Sequence, residues 1–84
     1  MGKREKLLLN ILSGRSDTNV GFDDLRNLLK RLGFDESVRG SHHLFRRPDV
    51  EEKINLQREG NHAKPYQVRQ VRGVLVKYGL GEEE

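Results

Sequence analysis

The spacing of apolar residues along the chain predicts three helices. Residues 3–12 form a short leucine-rich segment that ends near Gly14. Two later segments carry apolar residues at the three- and four-residue spacing of one helical face. These residues are Phe22, Leu25, Leu28, Leu29 and Leu32 in the first segment, and Val68, Val71, Val74, Leu75 and Tyr78 in the second. Gly79 ends the last helix, and Gly73 inside it costs about 1 kcal/mol relative to alanine, so we expect close packing or a local weakness there.

Between the second and third helices the pattern changes to short alternating stretches, which predict a meander of antiparallel strands. The predicted strands are residues 34–39, 42–47 and 53–57. Gly40-Ser41 and Pro48-Asp49 are typical turn formers, and residues 58–65 are predicted to be a polar loop. The fold class is therefore α+β, with an α-β-β-β-α core like that of a double-stranded-RNA-binding domain and an extra short N-terminal helix. Helices would cover one face of a three-stranded antiparallel sheet and leave the other face open.

The composition and charge of the chain indicate that its surface would bind polyanions. The 84 residues include 16 Lys and Arg against 13 Asp and Glu, and three of the acidic residues are the last three of the chain. A basic surface favours nucleic acids as partners, although ordinary solvated Lys and Arg side chains are the alternative explanation. There is no cysteine, so disulfides and thiolate zinc sites are excluded.

The order of apolar, polar and acidic segments predicts how the chain is divided into domains, and the absence of long apolar runs predicts its location. We expect an N-terminal extension over residues 1–20, one domain over residues 21–80 and an acidic tail over residues 81–84. The extension is either a helix that packs on the domain or an arm that contacts a partner. No apolar run approaches the roughly 20 residues that span a bilayer, so we expect a cytoplasmic protein that does not associate with a membrane.

Two of the three histidines lie side by side in the stretch "RGSHHLFRRP". Alternation along a strand puts one set of side chains on each face: His42, Leu44 and Arg46 on one, and His43, Phe45 and Arg47 on the other. We predict that Phe45 points inward, because it buries more apolar surface than Leu44. His43 would then lie at the margin of the core and His42 on the open face. The reverse arrangement, with Leu44 inward, is the alternative.

An exposed histidine on a basic strand could perform acid–base chemistry on RNA. The unperturbed pKa of histidine is about 6.5, and RNA carries its own nucleophile in the 2′-hydroxyl. The alternatives are a surface pair without chemistry, a metal site that includes His62, and a nucleophilic Ser41. Neighbouring side chains on a strand diverge, which disfavours the metal site, and no oriented base can be assigned to Ser41.

These residues carry a resemblance to a known family. Residues 21–80 resemble the HicA (YcfA-like) family, the small RNA-cleaving toxins of bacterial type II toxin–antitoxin pairs. The matching elements are a helix of the type "FDDLRNLLKRLGF", a strand, the stretch "RGSHHLFRRP" and a closing helix that ends in an aromatic residue, glycine and leucine.

The resemblance implies a translation-independent, metal-independent mRNA interferase that uses no cofactor. The catalytic histidine of the family matches His42, and the turn before it matches Gly40 and Ser41. We expect RNA contacts at Arg39, Gly40, Ser41, His43, Arg46, Arg47 and Lys64. The expected protein partner is a HicB-type antitoxin that covers His42 in a hetero-oligomer. Two other functions remain open, a non-catalytic RNA-binding module of the same fold and a protein-interaction domain.

Overall fold

The computed structural model describes residues 2–81, and its secondary structure follows the order α-α-β-β-β-β-α. The helices are α1 (Lys3–Ser13), α2 (Phe22–Arg31) and α3 (Pro65–Tyr78), with a 3-10 turn at Asp17–Asn19. The strands are β1 (Asp35–Arg39), β2 (His42–Arg47), β3 (Val50–Glu59) and β4 (His62–Ala63). The three glutamates of the expected acidic tail lie outside the described residues.

The sheet confirms the α+β class and corrects the number of strands. Within residues 2–81 it has four antiparallel strands in the order β1-β2-β3-β4, so the expected three-stranded sheet is wrong. The additional strand β4 pairs with Arg58 and Glu59 of β3, inside the stretch that was predicted to be a polar loop. A strand of two residues leaves no alternation to read. The position of β4 is also held by a residue before α2, because the backbone N–H of Ala63 donates to the carbonyl oxygen of Val20 at 2.9 Å.

One face of the sheet is buried beneath the helices. Phe45, Ile54 and Leu56 supply its fully buried side chains, so the inward orientation predicted for Phe45 is confirmed. The predicted helical stripes are buried as well, apart from two partly exposed members, Leu32 and Tyr78. The alternate residues of β2 and β3 look away from the helices, which leaves an open face on the sheet.

The N-terminal helix α1 packs against α2 and α3, whereas a contact of this segment with a partner stays a prediction. Ile11 of α1 is buried in the common core. Arg72 of α3 donates a hydrogen bond to the carbonyl oxygen of Ile11 at 3.1 Å and two more to the carboxylate of Asp17, at 2.9 and 3.1 Å. The guanidinium also holds the pKa of Asp17 below its usual range, through the hydrogen bond first and its charge second. We call this contact the Arg72 clamp.

Gly73 of α3 is a local weakness and not a site of close packing, because an added Cβ would meet no atom within 4 Å. We expect Gly73→Ala to raise the free energy of unfolding by about 0.5–1 kcal/mol in chemical denaturation, since glycine has more backbone freedom to lose in a helix. Gly79→Ala is the matched control. It also has open space, but its φ of +65° is left-handed, so alanine should destabilise by about 1 kcal/mol. Shifts of the same sign in both variants would contradict this explanation.

Candidate functional site

The candidate site lies on the open face of the sheet and is built on β2. Antiparallel pairing puts Arg39 of β1 and Gln57 of β3 directly opposite His42. Because directly paired residues share a face, these three side chains form a row across the sheet. The turn before β2 is tight, and Gly40 adopts a φ of +60°, a conformation that a side chain would strain. The predicted exposure of His42 on this face is confirmed.

The imidazole of His42 contacts an asparagine that the sequence did not single out. Its Nδ1 lies 3.3 Å from Oδ1 of Asn55, which pairs with Leu44 and is therefore the diagonal neighbour of His42 on β3. The directly opposite residue, Gln57, instead donates from Nε2 to the hydroxyl oxygen of Ser41 at 3.1 Å. Within residues 2–81, Nε2 of His42 forms no hydrogen bond. The ring is thus held at one nitrogen and exposed at the other.

A shallow groove next to His42 collects positive charge. It encloses about 380 Å³ and is lined by Ser37, Arg39, Leu44, Arg46 and Lys53. Lys53 was not among the predicted RNA contacts, although its spacing of two residues from Asn55 places it on the same face of β3. Three cations along one groove would attract the phosphates of a nucleic acid.

His43 faces the opposite side of the sheet, as predicted. Its Nδ1 lies 2.8 Å from Oε2 of Glu36, and its ring meets the edge of Phe22 with the ring centroids 5.0 Å apart. The carboxylate of Glu36 also accepts two hydrogen bonds from Arg26, at 2.7 and 3.0 Å. These bonds, that of Arg26 first, lower the pKa of Glu36 to about 2. His43 therefore belongs to an ion-pair network at the margin of the core, and the structure does not bring it together with His42.

The other predicted RNA contacts divide between the two faces. The exposed residues near His42 are Arg39, Gly40, Ser41 and Arg46. Arg47 is turned away: it donates from Nη1 to the carbonyl oxygen of Leu32 at 2.8 Å and pairs through Nε with Asp49 at 2.8 Å. It thereby satisfies a carbonyl at the end of α2 and is not part of the row that contains His42.

Lys64 lies between β4 and α3. Its backbone N–H and that of Gln57 donate to the same atom, Oε1 of the buried Gln67, at 3.4 and 3.2 Å. By accepting both bonds, Gln67 holds the start of α3 next to β3. These bonds place the backbone of Lys64 next to β3, and its predicted contact with RNA stays a prediction, whereas His62 is exposed on β4 opposite Glu59.

Comparisons of the chain with known proteins identify no relative. Models of protein families, curated proteins and solved structures give no match to the chain. No helix within residues 2–81 is long and apolar enough to cross a membrane. Over the same residues no group of three or more His, Asp or Glu side chains is placed to hold a metal ion. What the open face presents is an exposed imidazole, held at one nitrogen, with cations beside it.

Proposed function

We propose that the protein is an endoribonuclease that cleaves RNA with His42 as its acid–base group. The observation that carries this proposal is the position of His42, exposed on the open face with Arg39 directly across from it. The groove with Arg46 and Lys53 gives the RNA backbone a place to bind beside the imidazole. A site of this kind brings together a proton acceptor and cations that can stabilise a phosphate.

The reaction follows from the groups at the site. Nε2 of His42 takes the proton of a 2′-hydroxyl, and the 2′-oxygen forms a bond to the adjacent phosphorus while the bond from phosphorus to the 5′-oxygen breaks. The departing 5′-oxygen takes a proton from the imidazolium, which restores the neutral ring. The products are a 2′,3′-cyclic phosphate and a free 5′-hydroxyl. Arg39 and Arg46 stabilise the negative charge that develops on the phosphoryl oxygens.

The resemblance of the sequence to the HicA family extends this proposal to a biological role. We propose a cytoplasmic toxin of a type II toxin–antitoxin pair that cleaves mRNA and has a fold like that of a double-stranded-RNA-binding domain. A HicB-type antitoxin would cover the open face in a hetero-oligomer. In support, the groove and His42 share one surface, so a single acidic partner could block both RNA binding and chemistry.

A non-catalytic RNA-binding module is the second candidate, and the cations of the groove favour it as much as they favour the enzyme. Shape and phosphates can be recognised by such a face without chemistry. The two functions differ only in whether His42 acts on a bound 2′-hydroxyl.

The test is an RNA cleavage assay in the presence of EDTA. A defined mRNA fragment and the same fragment with 2′-O-methyl groups throughout are incubated with the purified protein, and the product ends are identified by mass spectrometry. We expect cleavage of the unmodified RNA only, with 2′,3′-cyclic phosphate ends. Salt-dependent binding without cleavage would establish the RNA-binding module instead, and no salt-dependent binding would leave a protein-interaction domain.

A further inference from the structure

We infer that Asn55 is a positioning residue that fixes which ring nitrogen of His42 carries the proton. The contact between Nδ1 of His42 and Oδ1 of Asn55 at 3.3 Å is the basis of this inference. The consequence for catalysis rests on the proposed function, whereas the position of the proton does not.

The direction of this hydrogen bond follows from the chemistry of the two side chains. An amide oxygen only accepts, so with Oδ1 of Asn55 facing the ring we infer that Nδ1 of His42 donates its proton to it. A neutral imidazole has one N–H and one bare nitrogen, and Nε2 is therefore left with its lone pair. In this tautomer the exposed nitrogen of His42 is the one that can take a proton from a 2′-hydroxyl.

Among residues 2–81, Oδ1 of Asn55 is the acceptor that lies within hydrogen-bond distance of the His42 ring. Arg39, opposite His42 on β1, has N–H donors alone. Gln57, opposite on β3, donates from Nε2 to the hydroxyl of Ser41 and not to the ring of His42. Asn55 reaches the ring because diagonal neighbours on paired strands are within reach of long side chains. The orientation of His42 thus depends on one residue of β3.

The neighbouring histidine shows what a different partner would do. His43 has the carboxylate of Glu36 at the equivalent nitrogen, whereas His42 has the neutral amide of Asn55 there. An amide orients the ring without adding a negative charge. Asn55 therefore selects the tautomer of His42 and leaves the ring free to exchange a proton with its substrate.

The first test reads the tautomer directly. In ¹⁵N-labelled protein at pH 8, the two ring nitrogens of His42 are distinguished by their chemical shifts and assigned from the spectrum of His42→Ala. We expect the Nδ1–H form in the wild type and a clear fall in its population in Asn55→Ala. Asn61→Ala, which removes an exposed amide from the turn before β4, is the matched control and should leave the signals of His42 unchanged. A predominantly Nε2–H wild type would overturn the inference, even if the protein cleaves RNA.

The second test uses the rate of RNA cleavage. We expect Asn55→Ala to lower kcat roughly three- to tenfold with little change in KM, as for the loss of one hydrogen bond. Asn55→Asp keeps the acceptor and adds a charge, so it should restore the rate at high pH and move the acidic limb of the pH–rate profile up by about one unit. The other charged groups that strand pairing and alternation place on this face are unchanged in the variant: the basic Arg39, Arg46 and Lys53, and the acidic Asp35, Glu51 and Glu59.

The two tests separate this inference from the proposed function. If the wild type shows the Nδ1–H form but does not cleave RNA, the orienting contact stands and the enzyme proposal fails. If cleavage depends on His42 while Asn55→Ala raises KM and leaves kcat and the tautomer unchanged, Asn55 contacts RNA and does not position the histidine. That result would overturn the inference and leave the proposed function intact.

Discussion

Replacing His42 by alanine is expected to lower RNA cleavage at least 100-fold while RNA binding changes little. General acid–base groups contribute roughly 10² to 10⁴ in rate, and alanine has no group that can take the proton of the 2′-hydroxyl. Binding should persist because the cations of the groove, Arg39, Arg46 and Lys53, are untouched. The measurement is single-turnover cleavage with EDTA, together with RNA affinity at several salt concentrations.

His62→Ala supplies the matched control for this experiment. His62 is also an exposed histidine of the sheet, but it lies on β4 opposite Glu59 and not in the row with Arg39. We expect this variant to cut RNA at the wild-type rate and to melt at the same temperature. Cleavage by His42→Ala within threefold of the wild type would exclude His42 as the acid–base group.

The largest loss of stability is expected from Phe45→Ala, at about 3–5 kcal/mol. Phe45 is fully buried at the centre of the sheet, and its truncation removes apolar contacts and leaves a cavity beneath the helices. A domain of this size is stable by roughly 4–13 kcal/mol in total, so the variant loses at least about a quarter of its stability and, at the lower end of that range, would be unfolded. Urea denaturation monitored by circular dichroism measures the change.

Tyr66→Ala is the control for the truncation of an aromatic side chain. Tyr66 is 56% exposed in the first turn of α3, where alanine is a good helix former. Its replacement should change the free energy of unfolding by less than about 0.5 kcal/mol. Equal losses in the Phe45 and Tyr66 variants would mean that the sheet is not buried as described. A graded variant, Phe45→Leu, should fall between the wild type and Phe45→Ala.

The elements that could be predicted from the sequence are those with their own repeating pattern. The stripe of α2 and the alternation around Phe45 locate a helix and a buried strand, because burial of one face requires that spacing. Strand β4 was missed because its two residues are too few to show alternation and because its backbone also bonds to Val20, which is distant in sequence. The ends of β3 were also missed, since charged residues there take part in the sheet through their backbone.

Likewise, only part of the candidate site could be predicted from the sequence. The face occupied by His42 followed from alternation and from the size of Phe45. The partners of the two histidines, Asn55 and Glu36, could not be found in this way, because a contact between strands depends on their register. Arg47 was expected to bind RNA from its charge, and only the structure shows that it donates to the carbonyl oxygen of Leu32, just after α2.

The Arg72 clamp has a consequence for how the chain is made. It joins a helix near the start of the sequence to one near its end, and α3 supplies buried residues beneath the sheet as well. During synthesis, α1 and the sheet therefore lack their common neighbour until residues 65–78 have left the ribosome. The core can close only after α3 has been translated, so a chain that stops before residue 65 would present neither a stable sheet nor an assembled row around His42.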